Sequence, residues 1–203
     1  MIRSPRMLAC LVLLGAIATS HSQAQSLSQA DLARILTPTD ELQGQFEQDK
    51  YLTILPRPLH SSGQFHYQRQ QGLEWIIEQP IASKVMISEH GISQTQGGEV
   101  VWQSDANSAQ TATVANLLAA IFAGDLATLQ ATFAITGTQV SETNGWDLQL
   151  TPKSDVLMSF FSRIDMTGTM TGTTHLQGLT LHEPKGDRTE IRLEVSGDAS
   201  AAE

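Results

Sequence analysis

From Leu42 to Ile87 apolar and polar positions alternate with a period of two. Leu42, Gly44 and Phe46 fall on one side of the chain. Phe65, Tyr67 and Arg69 share a face, with Gln64, His66 and Gln68 opposite. Leu73, Trp75 and Ile77 share another, opposed by Glu74 and Glu78. This alternation predicts antiparallel strands with one packed face and one wet face. Pro56, Pro58, Ser61-Ser62-Gly63 and Gln70-Gln71-Gly72 supply the expected turns. Lys84 to Ser88 and Glu99 to Gln103 predict two further strands around a Gly97-Gly98 turn. An arginine among inward-facing aromatics is costly to bury unless something pairs with it or uses it. Arg69 is therefore the leading functional candidate.

Helical spacing appears twice. Ser28 reads as a helix N-cap with Asp31 three residues on, followed by Leu32, Ile35 and Leu36, and Pro38 stops the run. From Ala112 the period changes again: Val114, Leu117, Leu118, Ile121 and Phe122 recur at helical spacing up to Gly124. Asp125 caps a second predicted helix carrying Leu126, Leu129 and Phe133. Strands resume at Gln139 to Glu142 and Gly145 to Thr151, with Asn144-Gly145 as the strongest hairpin signal. Val156 to Phe161 fits either a short helix or a buried strand. Arg163 to Met170, His175 to His182 and Thr189 to Val195 complete the strands, and the Thr-Gly run from Thr167 to Thr173 reads as a flexible hairpin tip.

The first 24 residues stand apart. Arg3 and Arg6 precede an apolar run from Leu8 to Ala18 that is too short to span a membrane, and Ser22-Gln23-Ala24 suits a signal peptidase. Cleavage after Ala24 and export are expected. Acylation at Cys10 is the rival reading, but Cys10 starts the apolar run instead of following it. Removing 24 of 203 residues leaves 179, enough for one domain over residues 25–195, with a disordered tail at 196–203. The only cysteine leaves with the leader, which excludes disulfides and thiol chemistry. Loss of two arginines takes the formal net charge from −9 to −11. That charge disfavours nucleic acid and anionic lipid surfaces and suits a basic patch on a protein partner.

Catalytic signatures are missing. His60, His66, His90, His175 and His182 show no metal-ligand spacing, and there is no nucleophile elbow, phosphate loop or dinucleotide fingerprint. The expectation is no catalytic residue, no metal and no cofactor. What remains is a curved sheet partnered by helices. It either curls around a ligand cavity or packs on the helices with none.

Residues 46–80 decide between these readings by resemblance. Phe46-Glu47-Gln48, the strand from Gly63 to Arg69, and Leu73-Glu74-Trp75 leading to Gln79-Pro80 resemble the LolA family of periplasmic lipoprotein carriers. That family has a Phe-x-Gln, a strand ending in Lys-Arg-Pro and a Phe-x-Trp strand ending in proline. Leu150-Thr151-Pro152-Lys153 and the strands from Gly178 to Leu193 look like its C-terminal hairpins. The resemblance implies a mainly β fold with helices: an incomplete antiparallel β-barrel, or strongly curved sheet, covered by a helical lid. It implies a carrier, not an enzyme, whose cavity takes acyl chains of a lipoprotein from an inner-membrane transporter to an outer-membrane receptor. By position, Phe46, Phe65, Tyr67, Leu73, Trp75 and Ile77 line the groove; Leu117, Leu118, Ile121 and Phe122 form the lid. Arg69 inherits the arginine that holds the lid shut, and the carrier acts as a monomer in the periplasm. Three departures stand out: Gln70 replaces the proline, Leu73 the aromatic, and His90-Gly91 an aspartate-glycine. They suit a divergent relative carrying another lipid, such as a glycolipid or aryl-polyene lipid. The remaining alternative is an envelope protein with a filled core and no ligand.

Overall fold

The computed structural model describes residues 25–105, 108–140, 144–169 and 175–196. The expected leader, the end of the Gln139–Glu142 strand, the centre of the Thr-Gly tip and the tail beyond 196 lie outside the described residues.

The chain begins with β1 (Gln25–Ser26) and α1 (Gln29–Ile35). Ser28 caps α1 as its sequence position predicts: its hydroxyl accepts from the Asp31 N–H at 3.2 Å, and its own N–H donates to the Asp31 carboxylate at 2.9 Å. Strands β2 (Glu41–Tyr51), β3 (Leu59–Gln68), β4 (Gly72–Gln79), β5 (Ser83–Ser88), β6 (Gly91–Gln96) and β7 (Glu99–Asp105) follow as an antiparallel meander. Helices α2 (Ala109–Ala123) and α3 (Leu126–Thr132) interrupt it. Then come β8 (Phe133–Val140), β9 (Gly145–Pro152), α4 (Asp155–Met158), β10 (Arg163–Thr169), β11 (His175–His182) and β12 (Arg188–Val195).

Among the described residues all twelve strands join one sheet, in the order β1-β8-β9-β10-β11-β12-β2-β3-β4-β5-β6-β7, and its two ends do not pair, so the sheet curls without closing. The join that makes one sheet of the two halves is β12 with β2, from Arg188↔Tyr51 to Val195↔Gly44. This is the predicted architecture of an open antiparallel barrel with helices on its inner face. The free edge at β7 carries exposed Val100, Val101 and Trp102.

Three local expectations need correction. The Ser61-Ser62-Gly63 turn is a strand: it lies within β3, opposite β2. Gly63 is needed there for close approach, since a Cβ would sit 1.9 Å from the Ile76 carbonyl oxygen. β6 escapes the alternation because Ser93-Gln94-Thr95-Gln96 leaves Ile92 as its only large apolar residue. Phe133 leaves the second helix and starts β8, where β-branched Ile135, Thr136 and Thr138 favour strand. Gly145 opens β9 as expected, and Asn144 before it takes the left-handed turn conformation at φ 49°. The first half of the ambiguous Val156–Phe161 run resolves as the short helix α4, capped by Ser154, which buries Leu157, and Ser159 to Phe161 lie beyond its end.

The core occupies the concave side. Trp146, Leu148, Leu150, Ile164, Met166 and Leu179 project there from one half of the sheet; Phe46, Phe65, Tyr67, Leu73 and Trp75 do so from the other. α2 lies over β3 to β6 and carries no charged residue. Its burial on most sides is the expected fate of a helix with no polar face.

Candidate functional site

The site grows from two glycines that alternate with two phenylalanines. Register places Gly44 beside Phe65 and Phe46 beside Gly63 on adjoining strands. Each ring therefore has an empty position next to it. Phe65 pairs in turn with Trp75 on β4. Phe46 fills the gap over Gly63 and stacks on Trp75 with ring centroids 3.9 Å apart and planes at 26°. Phe65 lies 6.0 Å from the same indole. Offset stacking of this kind adds about 0.5–1.5 kcal/mol per pair beyond the burial itself.

α2 inserts one ring into this cluster. Phe122 lies 5.6 Å from Phe65, 6.3 Å from Tyr67 and 6.3 Å from Trp75, the last edge-on. Beside it remains a cavity of about 280 Å³. Leu73, Trp75, Val85 and Ile87 wall it from β4 and β5, Leu118 and Phe122 from α2, and Leu179, Leu181 and Ile191 from β11 and β12. Gln48, Lys50 and Thr189 form its polar side.

The sequence-selected residues converge on this region to different degrees. Phe46, Phe65, Tyr67, Leu73 and Trp75 are buried on the concave face, and Leu117, Ile121 and Phe122 are buried on α2. Ile77 and Leu118 pack against the core at its margin. Four of them, Leu73, Trp75, Leu118 and Phe122, touch the cavity. The wall contributed by β11 and β12 escapes sequence reading. Leu179, Leu181 and Ile191 alternate visibly with polar residues, but only the β12–β2 join turns that face toward Trp75.

Arg69 stands one residue past the end of β3, with its side chain 45% exposed. It is not held among the aromatics. Its Nε donates to the Asp40 carboxylate at 2.5 Å and its Nη2 to the Thr39 carbonyl at 3.0 Å, while its backbone N–H donates to the Asp40 carbonyl at 2.9 Å. The Asp40 hydrogen bond raises the guanidinium's already high pKa further. Thr39 reaches α2: its N–H donates to the Ala123 carbonyl at 3.0 Å. The helix ends there at Gly124, in the left-handed conformation at φ 64°, where a Cβ would meet the Thr37 carbonyl oxygen at 2.5 Å. Arg69 thus grips the segment on which the last turn of α2 rests. Its field also helps to hold the Asp125 carboxyl below its ordinary range, after the larger effect of hydrogen bonds from Thr128. Burial pushes the neighbouring Tyr67 phenol up.

The family profile described as Outer membrane lipoprotein carrier protein LolA matches residues 37–199. The chain belongs to the LolA family. Membership sets the general class as a lipid or lipoprotein carrier, and members of the family are carriers, not enzymes. No curated protein matches the sequence. Among solved structures, a LolA superfamily protein from Nitrosomonas europaea is similar at TM-score 0.42 and 7% identity, covering 82% of this chain and 90% of that one. An outer membrane lipoprotein-sorting protein domain from Vibrio parahaemolyticus gives 0.41 and 8%, covering 80% and 87%. LprF from Mycobacterium bovis gives 0.39 and 10%, covering 86% and 97%. Among the described residues of this LolA-family chain, no helix is long and apolar enough to cross a membrane, and no cluster of side chains could hold a metal ion.

Proposed function

We propose that the protein is a periplasmic carrier that buries acyl chains between its concave sheet face and α2, and moves them from an inner-membrane donor toward an outer-membrane acceptor. The observation that carries this reading is the apolar cavity of about 280 Å³ beside Phe122. Drug-sized ligands occupy pockets of about 300–1,000 Å³, so the closed protein holds the start of a binding site and must open to take a full chain. Phe122 is the side chain to displace.

The energetics suit transfer. Each buried methylene contributes about 0.8 kcal/mol, so a chain of about fourteen gains about 11 kcal/mol. Swinging α2 away exposes Leu117, Ile121 and Phe122, which at about 1.5–3 kcal/mol each offsets about 5–9 kcal/mol of that gain. The residual affinity permits release. In this scheme Arg69 is a positioning residue, acting on the lid through Thr39 and Ala123. Arg69→Leu is expected to fold and to load, but to release or close abnormally. Normal cargo transfer by this variant would sink the gating role.

The test is native mass spectrometry of the protein purified from its own periplasm, followed by lipid extraction. A bound acylated species is expected, and its peptide or headgroup distinguishes lipoprotein from glycolipid or polyene lipid. An empty protein that also fails to bind a fluorescent fatty acid would favour an envelope protein with a filled core. The close packing of Phe122 on three aromatic rings is the feature that such a protein would share.

A further inference from the structure

We infer that the cargo of this cavity carries an anionic headgroup, with its acyl tail against Trp75 and Phe122 and the head at Lys50. The inference rests on the carrier reading and narrows it to a ligand class.

Polarity along two neighbouring strands is the starting observation. Inward positions of β2 run Phe46, Gln48, Lys50, and their partners on β12 run Leu193, Ile191, Thr189. Both rows change from apolar to polar in the same direction, so the cavity has a greasy end and a wet end. Among the described residues lining it, Lys50 alone is charged. An ammonium on the inner face of a sheet is unfavourable unless it reaches water or a partner. Lys50 does both, being 41% exposed with Glu183 of the β11–β12 turn 3.6 Å away. That separation is too long for a hydrogen bond, and exposed pairs of this kind contribute about 0–1 kcal/mol. The ammonium keeps its donors for an arriving anion.

The other charges at this mouth do not oppose the assignment. Asp187 is turned to the Thr53 N–H, which donates to its carboxylate at 2.8 Å, and exposed Lys185 in the same turn adds a second cation. Asp187, held low chiefly by the Thr53 N–H, also feels the charge of Lys50, but among the described residues Glu183 is the carboxylate within ion-pair distance, and it occupies the place of the headgroup in the empty protein.

The probes are a fluorescent fatty acid and its methyl ester, of identical chain, titrated at pH 8 into the mature protein. The wild type is expected to bind the acid about 5–10-fold tighter than the ester, with the preference shrinking in high salt. Lys50→Met, which keeps the stem's bulk, is expected to bind both equally at the wild-type ester affinity. Glu183→Gln is expected to strengthen acid binding while leaving the ester unchanged. Equal binding of acid and ester by the wild type would overturn the assignment and leave the carrier reading intact, as would a Lys50→Met variant that keeps its preference. Binding of neither probe would overturn the carrier reading as well.

Discussion

At the residue scale, the site depends on what is small as much as on what is large. Phe46 can stack on Trp75 only because Gly63 leaves the intervening position empty, and β3 can approach β4 there only because Gly63 has no Cβ. Gly63→Ala is expected to lower stability by about 1–3 kcal/mol, the usual range for forced overpacking. Urea unfolding checks this, and an unchanged midpoint would mean that the strands part without loss. Trp75 borders Phe46, Phe65, Phe122 and the cavity at once. Trp75→Ala should therefore lose about 3–5 kcal/mol of stability and, in the carrier scheme, probe affinity with it. A variant destabilised to that extent but binding the probe normally would remove Trp75 from the groove.

At the element scale, α2 is the part whose removal from the sheet matters. It is uncharged, buried on most sides and fastened at its C-terminal end by Gly124, Thr37 and Thr39. Truncating its inserted ring should move two observables in opposite directions. Phe122→Ala is expected to destabilise the empty protein by about 3–5 kcal/mol and to raise its affinity for a fluorescent fatty acid, because the ring no longer has to be displaced. Loss of both stability and affinity would make Phe122 ordinary core. Hydrogen exchange gives an independent view of the same element. If Arg69 restrains the lid through Thr39, Arg69→Leu should speed exchange in the last turn of α2 and leave the amides of β9 and β10 unchanged.

At the scale of the whole molecule, the sheet is open, acidic and held at its turns by carboxylates. Asp31, Asp125 and Asp187 are all held below the ordinary carboxyl value, chiefly by hydrogen bonds from Ser28, Thr128 and Thr53 respectively. A depressed folded-state pKa stabilises fully above the unfolded value and is lost as pH falls through the folded one. Stability should thus be flat from neutrality down to about pH 4 and decline below it as these caps protonate. Urea midpoints at pH 7, 5 and 3 test this; a decline already complete at pH 5 would point to other groups. The free edge at β7, with Val100, Val101 and Trp102 exposed, is the flank on which the barrel stays open.

The legible part of this protein was whatever repeats locally. Period-two alternation marks which residues of β2, β3 and β4 face together, and helical spacing with Ser28, Gly124 and Asp125 marks where helices start and stop. Those signals, with the motif spacing over 46–80, were enough for the aromatic face, the helices over it and the family. β6 stayed hidden because its polar run is a strand only by virtue of its neighbours on both sides. Two features of the site could not be read at all. The partners of Arg69 are Thr39 and Asp40, about thirty residues earlier, brought to it by the pairing of β2 with β3. The far wall of the cavity, and Lys50 at its mouth, depend on β12 closing against β2 across more than 130 positions. Alternation tells that a strand has two faces, but only long-range register says which face meets which, and a cavity is made by that meeting.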